Sequence, residues 1–373
     1  MNQNKLKISR KLPIKAIVNN PAYKFLSQAL IIAGITFLLT EATFRIYHRI
    51  NPTFVFYNRS YNRWRGRPHA QDFDFQLNSH GFKDVEFTQE KPEGIYRMLG
   101  IGDSFAFGIV PYHYNYLTLI EKQLNSQGQN IEVINMGIPG LGPAAYLALL
   151  INEGLVLNPD KVLLSFYIGN DFIDNYLTSL DRKKQTFYTV AFLQSLIKLQ
   201  TQFEGTVYNP NNLEYQDDHP TLTDESYLDQ VSNLSRMFNI RTNDGIFLGF
   251  FEDAMADIRR IKEICDSRNI DLTIVIIPTE VQVNKQLQSQ VIDILKPDDP
   301  QGLDFDYPNR LLRDRLSQYN IQYIDLLDDF RQVSQTTRLY RPNDSHWNIA
   351  GNALAAELIT KHLLTNNFNP DGE

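Results

Sequence analysis

Five short apolar runs, Tyr96–Ile101, Ile131–Asn135, Val162–Ile168, Leu272–Ile277 and Tyr323–Leu326, constrain the fold of this chain more than anything else in it. They are nearly continuous and rich in Ile, Val, Leu and aromatic residues, as strands buried on both faces must be. Between and after them lie helical patterns at Tyr116–Gln127, Pro143–Leu155, Phe247–Arg268, Pro308–Tyr319 and Asn348–Leu363. Strands alternating with helices predict a parallel sheet covered on both faces by crossovers. The expected fold is therefore α/β, a flavodoxin-like three-layer α/β/α arrangement around a five-stranded parallel sheet. Ligands in such sheets bind outside the carboxyl ends of the strands.

Chemistry-bearing strings stand at those ends. Gly102-Asp103-Ser104-Phe105 follows the first run, Gly137–Gly140 the second and Gly169-Asn170-Asp171 the third, while Asp344-Ser345-His346 precedes the last helix. A serine on a strand-to-helix turn has its hydroxyl at the sheet edge and its N–H at a helix start, where acyl-transfer nucleophiles are placed. Each string alone also fits a structural role: Asp103 and Asn170-Asp171 as helix caps, His346 beside Trp347 as a buried pair. Independent caps have no reason to gather on one sheet edge, so their joint order points to one catalytic constellation.

These blocks resemble those of the SGNH (GDSL-type) hydrolase family, from about Asn78 to Leu363, with a poorly matching stretch between about Asp174 and Asp244. The resemblance implies Ser104 as nucleophile and His346 as base. It implies an oxyanion hole built from the N–H of Ser104, the N–H of Gly140 and the side chain of Asn170. The common spacing in that family is Asp-x-x-His, yet Asn343 stands three residues before His346 and Asp344 two before. That shorter spacing resembles the polysaccharide O-acetyltransferase-like branches, and Asp344 becomes the candidate acid.

The chemistry follows from the residue types. Serine at its free pKa is a poor nucleophile, so His346 would take its proton and later return one to the leaving alcohol, with Asp344 orienting the imidazole. No metal and no cofactor is required. Water as acceptor makes an esterase and a sugar hydroxyl makes an O-acyltransferase, and the motif residues are the same for both. The resemblance to membrane-anchored bacterial relatives implies acylated carbohydrate as substrate. The alternatives are a lipid or small-ester esterase and a non-catalytic scaffold in envelope polysaccharide assembly. Glu280 to Gln282 leave the fourth strand on the same edge, so Gln282 is a candidate substrate contact, with a purely structural loop as the other reading.

The N-terminus carries a second signal. Residues Phe25–Thr40 hold no charge, and the apolar character continues to Phe44, near the length that crosses a bilayer. Six Lys/Arg precede it (Lys5, Lys7, Arg10, Lys11, Lys15 and Lys24) with no acidic residue before Glu41, which favours a cytoplasmic N-terminus and an exoplasmic or periplasmic domain. Arg45, Arg49, Arg59, Arg63, Arg65 and Arg67 weaken that bias. An uncleaved anchor is preferred because no small-x-small site follows; a cleaved signal peptide and an amphipathic helix packed on the domain or lying on the membrane are the alternatives.

The expected organisation is a basic tail (1–24), a transmembrane anchor (25–47), an extended connector (48–90), the hydrolase domain (91–365) and a short tail (366–373). A long stretch at about 174–244 interrupts the domain's rhythm. It leaves the sheet beside Asn170, which favours a lid over the substrate against an inert excursion. With 373 residues, 43% of them apolar, the chain can bury a full core. A net charge of −7 without a basic run in the body argues against a nucleic-acid partner. The one cysteine, Cys265, lies on the apolar side of a helical pattern and is expected to be a core residue.

Overall fold

The computed structural model describes residues 20–50, 68–174, 187–190, 192–193, 214–235, 246–295 and 303–365. The basic tail to residue 19, the arginine-rich stretch 51–67, most of the insertion and the C-terminal tail 366–373 lie outside the described residues. The chain begins with a long helix, α1 (Pro21–Ile50), followed by a small antiparallel hairpin, β1 (Gln71–Asp72) and β2 (Phe75–Gln76). The five apolar runs then form one sheet: β3 (Tyr96–Ile101), β4 (Ile131–Asn135), β5 (Lys161–Tyr167), β6 (Asp271–Ile277) and β7 (Gln322–Asp325). Every pairing is parallel and the spatial order is β4-β3-β5-β6-β7, the flavodoxin-like order expected.

Strand alternation divides the core into two. Val162, Leu164 and Phe166 of β5, with Ile274 and Ile276 of β6, pack with Leu147, Ile258 and Leu312 on one face of the sheet. Leu163, Val275 and Ile277 pack with Leu117, Ile120, Ala355 and Ile359 on the other. The first layer holds α4 (Pro143–Leu149), α6 (Ile246–Asp266) and α9 (Tyr307–Gln318), and the second α3 (Tyr116–Ser126) and α11 (Ile349–Thr365). Cys265 is buried in the first layer, as expected of a core residue.

Among the described residues after Asp174, four helices escape the periodicity reading. They are α5 (Asp224–Ser235), α7 (Glu280–Val283), α8 (Lys285–Leu295) and α10 (Leu327–Val333). Each is short or buries few apolar residues (Leu287 and Val291 in α8, Leu327 and Phe330 in α10), too few to set a period. The helical pattern beginning at Pro143 also changes form, widening into a π turn over Leu150–Gly154 before it ends at Asn158, which has a φ of 51°.

The segment expected to be an extended connector is built into the domain from Ala70 onward. Leu77 and Phe82 are buried, and the Lys83 side chain has no exposed surface. Its ammonium donates to the carbonyls of Gly108 (2.8 Å) and Val110 (2.6 Å) and pairs with buried Asp72. Asp84 accepts the N–H of Asn135 (2.7 Å) and the hydroxyl of Tyr112 (3.0 Å). The stretch 72–84 thus ties the loop after Ser104 to the end of β4. Breaking a buried pair leaves one charge uncompensated, so Lys83→Ala should destabilise the domain by about 3–5 kcal/mol. Urea unfolding measures this, and parent-like stability would show that the pair does not hold the connector.

Candidate active site

The site starts from the turn after β3. Asp103 is the N-cap of α2 (Ser104–Phe107), its carboxylate accepting the Phe105 N–H at 2.9 Å, so Ser104 is the first helical residue and presents its hydroxyl at the carboxyl edge of the sheet. Burial pushes the Asp103 carboxyl up; the Phe105 N–H, the charge of His346 and the side chains of Ser104 and Asn170 draw it back. Asp103 is therefore the keystone of the turn, and Asn170, which follows β5, leans on it.

The loop after β4 runs alongside the same turn, with the Ile138 N–H donating to the Gly102 carbonyl at 3.1 Å. Gly137 is required by contact: a Cβ there would lie 2.1 Å from the Phe107 nitrogen. Gly140 is required by conformation, with φ at 76° and open space around it. Its backbone is exposed at the same edge as Ser104.

His346 arrives from the loop before α11. Its Nε2 lies 2.8 Å from the Ser104 hydroxyl and its Nδ1 2.6 Å from Oδ1 of Asp344. Asp344 Oδ1 also accepts the backbone N–H of His346 at 3.0 Å, a bond made possible by the two-residue spacing. The ring rests against Phe105, centroids 5.2 Å apart, and Phe105 itself meets Tyr167 and Trp347. Burial works to raise the Asp344 carboxyl, but the hydrogen bonds and charge of His346 and the Thr221 hydroxyl together hold it down at about 2. It is a carboxylate at every pH at which an imidazole can act as a base.

Deeper in the site Asp171 is fully buried and accepts from the Tyr146 hydroxyl (2.9 Å) and the Tyr167 N–H (3.0 Å). Burial, then the charges of Asp103 and Asp174, push its pKa well up. Its bonds tie the Asn170 loop to α4 and β5.

The structure brings Ser104, His346 and Asp344 into direct contact and sets Gly140 and Asn170 on the loops beside them. Gln282 is a correction. It is buried as the last member of a capping box on Thr279, and its amide nitrogen is spent on the Phe305 carbonyl (2.6 Å) and Asn309 (2.8 Å). Gln282 points inward because the Phe305 carbonyl and the Asn309 side chain of α9 take its amide N–H groups, so that amide is not presented to a substrate. Glu280 is the member of that trio beside the site, lining a small recess with Tyr167, Gly169, Tyr227 and Ser345 and accepting the Tyr227 hydroxyl. Reading the chain alone also misses Thr221 and Arg341, which meet the second oxygen of Asp344. No motif marks them.

A serine, an imidazole and a carboxylate in hydrogen-bonded series at the carboxyl edge of a parallel sheet define a serine enzyme of acyl transfer. Residues 250–372 match the family described as the SGNH hydrolase-like domain of acetyltransferase AlgX. The chain is similar to that domain over its C-terminal third. The matched residues hold Asp344 and His346 but not Ser104, whose place rests on the geometry above.

No curated protein matches the chain in sequence. Among solved structures it is similar to the acetyl xylan esterase AlAXEase (16% identity, TM-score 0.39, covering 72% of this chain and 99% of that one). It is also similar to a lipase/acylhydrolase from Enterococcus faecalis (14%, 0.38, covering 73% and 96%). A third is an acetylxylan esterase from Geobacillus stearothermophilus, solved as a catalytic mutant (15%, 0.39, covering 74% and 95%).

Two outcomes test the acid. Asp344→Asn should lower kcat by roughly 10⁴-fold, through loss of imidazole orientation and charge stabilisation, whereas Asn343→Ala should cost far less. The reverse ranking in steady-state assays would move the acid role away from Asp344. The sign of the pH effect follows from the shift: with a folded value of about 2 against an ordinary 3.8, the ionised group favours the folded state above about pH 4, and that contribution is lost as pH falls towards 2. The stability advantage of the parent over Asp344→Asn should therefore shrink across that window in urea titrations. A constant gap would mean that His346 does not hold the carboxylate.

Proposed function

We propose that this protein cleaves or transfers O-acyl groups, acetyl above all, on carbohydrate at the exoplasmic face of a membrane through an acyl-serine intermediate. The observation that carries the reading is the unbroken series Asp344–His346–Ser104 at 2.6 and 2.8 Å. Ser104 Oγ attacks the ester carbonyl while its proton passes to His346 Nε2. The tetrahedral oxyanion meets the N–H groups of Ser104 and Gly140 and the side-chain amide of Asn170. As the carbonyl re-forms, the C–O bond to the alcohol breaks and His346 returns the proton to the departing oxygen. The acyl-serine is then released by water or by a second sugar hydroxyl, deprotonated in turn by His346. Removing one oxyanion donor from such a site costs about 10²–10³ in turnover.

The acetyl assignment draws on the acetyltransferase named in the family match, the carbohydrate assignment on the resemblance of the motif blocks, and the membrane assignment on α1. The stretch Pro21–Ile46 is long and apolar enough to span a bilayer, and Phe25, Leu30, Ile31, Ile35 and Leu39 stand exposed along it. The lysines and arginines before it favour a cytoplasmic N-terminus.

Fluorophosphonate labelling tests the nucleophile: the parent should label and Ser104→Ala should neither label nor turn over, while its stability stays within about 1 kcal/mol of the parent because the side chain is small and lies on a loop edge. Equal turnover by the two proteins would overturn the assignment. Acetylated sugars assayed with and without an acceptor glycan separate release to water from transfer. For the anchor, the full-length chain should stay with membranes through a high-salt wash, since screening charge does not release a spanning helix. Recovery as a shortened soluble chain would show a cleaved signal instead.

A further inference from the structure

The carboxylate of Asp344 has two oxygens, and the imidazole occupies one. Oδ1 accepts from His346 twice, at Nδ1 (2.6 Å) and at the backbone N–H (3.0 Å). Oδ2 turns away from the histidine and accepts the Thr221 hydroxyl at 2.6 Å and the Arg341 guanidinium at 3.1 Å. An aspartate two residues from its histidine shares one tight turn with it, and two bonds to a single oxygen leave the carboxylate plane free to pivot, because the terminal torsion of Asp is broad. Donors on the other oxygen set that plane.

Thr221 belongs to the insertion, and residues 215–224 of the insertion are fastened to the acid loop. The Thr221 N–H donates to the Pro342 carbonyl (3.2 Å) and the Leu222 N–H to the Asn343 carbonyl (3.3 Å). Asn343 returns its side-chain amide to the Leu222 carbonyl (3.1 Å) and to Asp224 (2.6 Å). Asp217 takes the Ile349 N–H at 3.0 Å, at the start of α11, and Asp218 pairs with Arg338. The Tyr215 ring lies against the guanidinium of Arg341, 5.5 Å from its centroid, and against Phe73 of the N-terminal hairpin. Both sides of the loop that carries Asp344 and His346 are bonded to residues 215–224.

We infer that Thr221 is a positioning residue for the acid: by donating to Oδ2 of Asp344 it sets the carboxylate plane that aims Nε2 of His346 at Ser104, so the insertion is part of the catalytic apparatus. The inference rests on the acyl-transfer reading above. Thr221 itself is exposed and fills no core space, so replacing it tests the hydroxyl and leaves the fold intact.

The experiment compares Thr221→Val, which keeps the shape and removes the donor, with Thr221→Ser, which keeps the donor, in the detergent-solubilised full chain with 4-nitrophenyl acetate as substrate. Thr221→Val should lower kcat about tenfold, the usual scale for one hydrogen bond to a charged partner, with KM within about twofold of the parent and an unchanged thermal midpoint. Thr221→Ser should restore kcat to within about threefold. Parent-like kcat in the valine variant, or a serine variant as slow as the valine one, overturns the inference. A second readout needs no turnover: the proton resonance of His346 Nδ1–H, bonded to Asp344, should shift in Thr221→Val and return in Thr221→Ser. An inactive, unlabelled parent would sink the acyl-transfer reading alone, and the resonance would still decide the Thr221 contact, with an unmoved signal counting against it.

Discussion

Everything at this site depends on β3 being bonded in parallel to β4 on one side and to β5 on the other. Parallel pairing sends the chain out of every strand at the same edge, so the turns carrying Ser104, Gly140 and Asn170 become neighbours although they are far apart in sequence. The fourth contributor is not a strand end. His346 is delivered by the packing of α11 on α3, where the Tyr116 N–H donates to the Asn352 side chain at 3.2 Å, and by Trp347, which is buried edge-on to Phe105 and Tyr116. A shift of α11 would move His346 without touching Ser104. The stack Phe105–Trp347–Phe330 is what prevents it.

Buried charge supplies the remaining rigidity. Arg97, near the amino end of β3, has no exposed side chain and donates to Glu132 (2.7 Å) and to the Leu157 carbonyl (2.7 Å), at the edge of the sheet opposite Ser104. Lys83 likewise donates to the loop after α2, and Asp84 accepts the Asn135 N–H at the end of β4. Such groups cost desolvation and return it only when every donor and acceptor is matched. Their yield is specificity of placement: the Gly108 and Val110 carbonyls, which an apolar residue at position 83 would leave unbonded, are held at one position in the loop after α2.

The insertion changes meaning once it is seen in three dimensions. Read along the chain it is a lid candidate, because it departs next to Asn170. Residues 214–235 span from the acid loop to Glu280, where α5 places Tyr227, so this part borders the site and supports it. The cause is the two-residue spacing of Asp344 and His346, which leaves one carboxylate oxygen to be satisfied from outside the turn.

The strands were legible in the sequence nearly to the residue, because a strand buried on both faces has no option but continuous apolar character, and Lys161–Tyr167 or Asp271–Ile277 can be read in no other way. The contacts of Ser104, His346 and Asp344 were legible because local turn chemistry and order along the chain carry the signal, with Asp344 only two residues from His346; the same turn chemistry placed Asn170 after β5. Tertiary structure alone decided the rest. The polar residues Gln282, Lys83 and Thr221 look alike in a linear reading, each a hydrophilic side chain on a connection. Only their surroundings tell that Gln282 faces inward to cap a loop, that Lys83 holds the nucleophile turn from below, and that Thr221 reaches Asp344 across 123 positions. A hydrogen bond between distant residues leaves no periodicity in either segment, so the sequence determined which edge bears the chemistry, and the packing of distant loops determined which polar groups serve it.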